Sequence, residues 1–334
     1  MGLVNRLVGI AQGRFRRWIR PSASVAEPRV GDVLPGGYRI VRPLDEGGMA
    51  LLFEADQVDT KDRFAVKVLR HSFWHNQDIR TRFECEALIL DELRHENIVA
   101  IHDYRGVEGA MPYMVMEYLR GENLFEILRR EGRLPLSRAL DLIQQACHGL
   151  AAAHAAGIVH RDIKPDNLFV CSRANGTELV KIIDFGIAKM ITADPGSRIA
   201  RLGERDGCNF LGTPDYTAPE QVSMPCAVDG RADLYGLGVI LFESLTGRLP
   251  YPPGSFATCI DDLATRRPCR IEALRPDFPP AFGATVHRAL AFDRRDRFRC
   301  ALDLADALEA FRASGEAPWA TRGEGEGASQ LRTA

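Results

Sequence analysis

Between His160 and Asn167 the chain reads His-Arg-Asp-Ile-Lys-Pro-Asp-Asn, and Asp184-Phe185-Gly186 follows. Asp162 is a carboxylate that can accept or orient a hydroxyl proton, and a general base of this type contributes roughly 100- to 10,000-fold in rate. Lys164 can neutralise negative charge on a group being transferred. Asn167 and Asp184 offer oxygen ligands, the type that a hard cation such as Mg²⁺ prefers. A proton acceptor, a cation and two metal ligands in this order point to phosphoryl transfer. A lone Asp or Lys is more often a surface charge, so the joint spacing carries the inference.

Other elements must position these groups. Segments 38–44, 51–56, 63–69, 99–105 and 112–117 are short, rich in apolar or β-forming residues and separated by turn signals, which predicts a small antiparallel sheet. One helix is expected near 78–93, after the third strand. Between the first two strands, Gly47 and Gly48 could close a hairpin over phosphates. The strand Phe64-Ala65-Val66-Lys67-Val68 presents Lys67, which can hold phosphates if a carboxylate on the next helix orients it. Glu86 is placed to be that carboxylate, and Glu84 is a nearby competitor.

Beyond Leu119 the pattern turns helical: Leu140, Ile143, Cys147, Leu150 and Ala151 share one face of 136–154. The stretch Ala232 to Leu245 is apolar nearly all round, as in a helix at the centre of a larger lobe. The expected fold class is α+β, with two lobes of unequal size.

Composition bounds the alternatives. With 334 residues, 46% hydrophobic and 26% charged, the chain is long enough for a large core, and a formal net charge of -2 argues against nucleic acid as a partner. Cysteines at 85, 147, 171, 208, 226, 259, 269 and 300 form no C-x-x-C pair, and they read as reduced thiols in a cytoplasmic protein. No apolar run reaches the roughly 18 to 20 residues that a membrane span needs.

Residues 1–20 carry Arg6, Arg14, Arg16, Arg17 and Arg20 beside an apolar stripe that includes Leu3, Leu7, Ala11, Phe15 and Trp18. That is a basic amphipathic helix pattern, suited to peripheral contact with an anionic membrane or to a partner groove. Its plainer reading is packing on the chain's own lobe. Residues 21–37 read as a linker, and 314–334 as a disordered tail.

On these motifs the chain resembles a eukaryotic-type serine/threonine protein kinase of the bacterial style. The resemblance runs from about Tyr38 to Phe311 and includes Lys67, the His160–Asn167 run, Asp184-Phe185-Gly186, Gly212-Thr213-Pro214 through Ala218-Pro219-Glu220, Asp233 to Gly238, and Arg297. It implies a bilobal kinase domain over 38–313, with a β N-lobe (38–118) and a mainly helical C-lobe (119–313). It implies transfer of the γ-phosphoryl group of ATP to Ser or Thr hydroxyls of protein substrates, with Mg²⁺ or Mn²⁺, and autophosphorylation. Asp162, Lys164, Lys67 and Glu86 would be catalytic. Gly47, Gly48, Leu52, Ala65, Lys67, Glu117, Leu119, Asn167 and Asp184 would hold the nucleotide, and Asn167 and Asp184 the metal. The resemblance further implies a hinge at Glu117, Tyr118 and Leu119 behind Met116. Glu220 would pair with Arg297, Asp233 would brace the catalytic loop, and Leu90, Ile101, His160 and Phe185 would stack as a column.

The glycine loop departs from the family pattern, with Asp45 and Ala50 where glycines are expected. A carboxylate about 8 Å from a phosphate, at an effective dielectric near 20, would cost on the order of 2 kcal/mol. This motivates an alternative reading as a nucleotide-binding pseudokinase or scaffold. Between Gly186 and Gly212 the hydroxyls are Thr192 and Ser197, against acidic Glu204 and Asp206. One of these hydroxyls, once phosphorylated, or one of these carboxylates would be the anion that Arg161 pairs with.

Overall fold

The computed structural model describes residues 27–106, 111–185, 214–224, 227–251 and 267–313. The basic segment 1–20, Thr192, Ser197, Glu204, Asp206, Gly186, Gly212, Thr213 and the tail 314–334 lie outside them. The chain divides into two compact units, the first ending at Arg120 and the second opening at Gly121.

The first unit is a six-stranded antiparallel sheet in the order β1-β2-β3-β4-β6-β5, comprising β1 (Val33–Leu34), β2 (Tyr38–Glu46), β3 (Ala50–Gln57), β4 (Arg63–Leu69), β5 (Ile101–Arg105) and β6 (Tyr113–Glu117). Apolar alternation puts Ile40, Phe53, Ala55, Val66 and Val68 into the core. Pro43 has no N–H to give the ladder, and the β2–β3 register shifts beside it, between Pro43 and Asp45. Beyond the shift Asp45 faces Leu52 and Glu46 faces Leu51, leaving Gly47, Gly48 and Met49 as the turn. β1 was not expected: two residues of the stretch read as linker pair with β2 across a turn in which Gly36 and Gly37 have φ of 93° and 85°.

Helix α1 (Gln77–Glu92) follows β4. Its start is set by Asn76, whose side chain accepts the N–H groups of Asp78 and Ile79, both at 3.1 Å. It buries Phe83, Ala87, Leu88 and Leu90, and this apolar face fixes the rotation of the helix and so the direction in which Glu86 points.

In the second unit a small antiparallel sheet, β7 (Gly121–Asn123), β8 (Leu168–Ser172) and β9 (Glu178–Ile182), accompanies helices α2 (Leu124–Glu131), α3 (Leu136–Ala155), α4 (Pro219–Ser223), α5 (Arg231–Thr246), α6 (Ile271–Leu274), α7 (Pro280–Ala289) and α8 (Ala301–Ala313). Every residue of α5 from Ala232 to Leu245 is buried except Glu243. A Cβ on Gly236 would sit 2.8 Å from the Ile163 carbonyl, so only glycine lets the loop carrying Asp162 lie directly on this helix. None of the helices among the described residues is long and apolar enough to cross a membrane.

Candidate active site

The loop from His160 to Asn167 connects α3 to β8 and is held from below by α5. Asp233 accepts the backbone N–H of His160 at 2.9 Å and of Arg161 at 2.8 Å, and its Oδ2 also lies 2.7 Å from His154 Nε2. Burial alone would raise the Asp233 pKa, but the hydrogen bonds from the His154 side chain and the His160 backbone N–H hold it below the usual carboxylate range. Arg161 has φ 65°, a left-handed conformation that disfavours a residue with a side chain. Its carbonyl accepts from Gln221 Nε2 at 2.7 Å, while Gln221 Oε1 takes the Ala218 N–H.

His160 is fully enclosed. Its Nε2 is 3.1 Å from the Ile183 carbonyl, which makes that nitrogen the donor, while Nδ1 accepts the Asp162 N–H at 3.2 Å. Burial lowers its pKa against the pull of Asp233 and Asp162, so the ring is neutral. The Phe185 ring packs on it at 4.6 Å.

Asp162 stays reachable, with 19% of its side chain exposed. Lys164 Nζ lies 3.3 Å from its Oδ2, and Asn167 Nδ2 donates to the Asp162 carbonyl at 2.8 Å and contacts Oδ2 at 3.3 Å. Committing Nδ2 to Asp162 turns Asn167 Oδ1 the other way, as a metal ligand requires. The β8–β9 register pairs Leu168 with Ile182, and the Ile183 N–H continues the ladder to the Asn167 carbonyl at 3.0 Å. Asp184, with φ 53°, is the next residue, so the pairing brings the two oxygen donors to neighbouring positions.

Among the described residues no group of three or more His, Cys, Asp or Glu could hold a metal by itself. An amide and a carboxylate oxygen fit Mg²⁺, which keeps several waters and takes its remaining ligands from phosphates.

In the first unit Lys67 Nζ meets Glu86 Oε1 at 2.8 Å, with side chains 19% and 13% exposed. Glu84 instead has its carboxyl raised by burial, opposed by Arg80. Leu52 stands directly across from Lys67 and Ala65 two residues before it, so the three share a face of the sheet with Met114 and Met116. At the end of β6 the Glu117 N–H goes to the Ala100 carbonyl at 2.9 Å and its carboxylate takes the Ala100 N–H at 2.7 Å. Leu119 follows, half-buried. Gly47 and Gly48 are exposed at the hairpin tip, and Asp45, also exposed, turns Oδ1 back onto the Glu46 N–H at 2.8 Å.

Sequence reasoning missed Gln221 and His154. A glutamine at the third position of a helix is a capping signal, and that much was legible. Its reach to Arg161 was not.

Residues 38–299 match the protein kinase domain family model. The chain is 38% identical over 280 residues to serine/threonine-protein kinase pkn2 of Myxococcus xanthus, covering 83% of this chain and 33% of that protein. It is 36% identical over 296 residues to serine/threonine-protein kinase PknA of Mycobacterium tuberculosis, covering 87% and 65%. The chain thus spans from a third to just under two thirds of the length of these relatives. The crystal structure of the Mycobacterium tuberculosis PknI kinase domain is similar with a TM-score of 0.64 at 26% identity, over 85% of this chain and 99% of that one.

Proposed function

This chain belongs to the protein kinase domain family, and from that premise we propose that it transfers the γ-phosphoryl group of ATP to serine or threonine hydroxyls of protein substrates. The observation that carries the reading is the partly exposed Asp162 carboxylate held between Lys164 and Asn167. Asp162 orients the substrate hydroxyl and accepts its proton. Lys164 sits beside that carboxylate to offset charge on the phosphoryl group in transit. Lys67, aimed by Glu86, holds the α and β phosphates, and Leu52, Ala65, Glu117 and Leu119 receive the base. A divalent ion on Asn167 and Asp184 supplies charge neutralisation on the phosphates when bound.

The motive for a pseudokinase reading weakens, because the Asp45 carboxylate is exposed to water and folded onto its own backbone. The test is phosphate transfer from Mg-ATP to a generic basic protein, with Asp162→Asn as control. Equal signal from the two proteins would overturn the assignment.

Two finer readings accompany it. Phosphorylation of Thr192 or Ser197, or the acidic Glu204 or Asp206, supplies the anion for Arg161; mass spectrometry after incubation with ATP decides, since full activity with an unmodified segment rules out phosphorylation. Residues 1–20 attach a cytoplasmic enzyme to anionic membrane surfaces. Deleting them should abolish salt-sensitive sedimentation with anionic vesicles and leave peptide phosphorylation intact, and unchanged sedimentation would dismiss the idea.

A further inference from the structure

Arg70 lies one residue beyond β4 and reaches the turn that joins β2 to β3. Its Nε donates to the Gly47 carbonyl at 2.9 Å, and its own backbone N–H donates to the Met49 carbonyl at 2.9 Å. Its Nη2 stands 3.6 Å from the Glu46 carboxylate. One residue therefore grips Glu46, Gly47 and Met49, in a loop where Asp45 and Ala50 replace expected glycines. The guanidinium is 29% exposed, and a partly sheltered charged donor makes a stronger bond than a surface contact does.

A trans peptide is planar, with its C=O and N–H pointing in opposite directions. Binding the Gly47 carbonyl to Arg70 therefore aims the Gly48 N–H away from Arg70, and the positive charge on the carbonyl polarises that N–H. A Cβ built on Gly48 would meet nothing within 4 Å, so its surroundings are open to a ligand. Successive backbone N–H groups in such turns are the donors that hold phosphate oxygens.

We propose that Arg70 is a positioning residue for the nucleotide phosphates, presetting the 46–49 turn so that the Gly48 N–H faces bound phosphate. This rests on the reading of the chain as an ATP-dependent enzyme. Glycine is conformationally permissive, and a loop with Gly47 and Gly48 at its tip loses entropy when a ligand orders it. Arg70 removes part of that loss before the ligand arrives.

The test is calorimetric titration of the full chain with Mg-ATP and, separately, with adenosine, which has no phosphate. Arg70→Ala should weaken Mg-ATP about tenfold and leave adenosine within about twofold, the scale of one charge-assisted hydrogen bond. Arg70→Lys should recover part of the loss. An Arg70→Ala protein that binds Mg-ATP normally, or that loses both ligands equally, overturns the proposal, the second result marking a merely structural role. A wild type that does not bind Mg-ATP overturns it as well. A wild type that binds Mg-ATP but transfers no phosphate removes the kinase reading alone and leaves Arg70 to be judged by the titrations.

Discussion

Asp233 Oδ1 accepts the backbone N–H of Arg161 at 2.8 Å, from the first turn of a helix, 72 residues further along the chain. With Oδ2 on the His160 N–H, one buried carboxylate holds two successive amides of the loop that carries Asp162. The left-handed Arg161 costs about 1–2 kcal/mol on its own, and these bonds offset it. In Asp233→Asn one of the two amides faces an NH₂ group, a donor against a donor. Steady-state kinetics should show kcat lowered about 10- to 100-fold, with the KM for ATP changed far less. An unaltered kcat would mean that the loop keeps its shape without the brace.

The buried His160 makes stability depend on pH. Burial holds its pKa below the ordinary value of about 6.5, at which it titrates in the unfolded chain. As pH falls through that value the unfolded state takes up a proton that the folded state refuses, so this contribution is present above about 6.5 and is lost progressively below it. Urea midpoints measured from pH 7.5 down to 5.5 should decline, and His160→Phe, which keeps an aromatic ring against Phe185, should decline less steeply. Parallel slopes in the two proteins would rule out His160 as the cause.

Lys67 and Glu86 form an ion pair at 2.8 Å, while burial raises the Glu84 carboxyl pKa against the nearby Arg80 charge. Glu86→Gln keeps the size and removes the charge that orients Lys67. Its kcat/KM for ATP should fall about tenfold or more, and Glu84→Gln should stay within about twofold of wild type. A larger loss at Glu84 would reverse the assignment.

Arg297 and Glu220 meet through two bonds of 2.7 and 2.8 Å, with side chains 0% and 5% exposed. Arg297 also donates to the carbonyls of Ala291, Arg231 and Phe292, and it stacks over the Tyr235 ring at 4.9 Å. Removing one partner strands a charge in the interior, so Arg297→Met should cost about 3–5 kcal/mol by urea denaturation. The double substitution of both residues to Met should be milder than Arg297→Met alone. Additive losses would show that the two side chains are not coupled.

What the sequence determined by itself was local. Period-two and helical patterns placed the strands at 38–44, 51–56 and 63–69 and the helices at 136–154 and 232–245, within a few residues of the strands Tyr38–Glu46, Ala50–Gln57 and Arg63–Leu69 and the helices Leu136–Ala155 and Arg231–Thr246. It also put Asp162, Lys164 and Asn167 on one loop, because their spacing is covalent. Two-residue β1 has no period to read, and its pairing depends on Gly36 and Gly37 taking positive φ. The choice of Glu86 over Glu84 depended on which face of α1 the buried Phe83, Ala87 and Leu90 would claim. The grip of Arg70 on Gly47 and of Gln221 on Arg161 spans 23 and 60 residues. Such contacts form only after burial of the apolar faces has brought distant segments together, and no local pattern encodes that step.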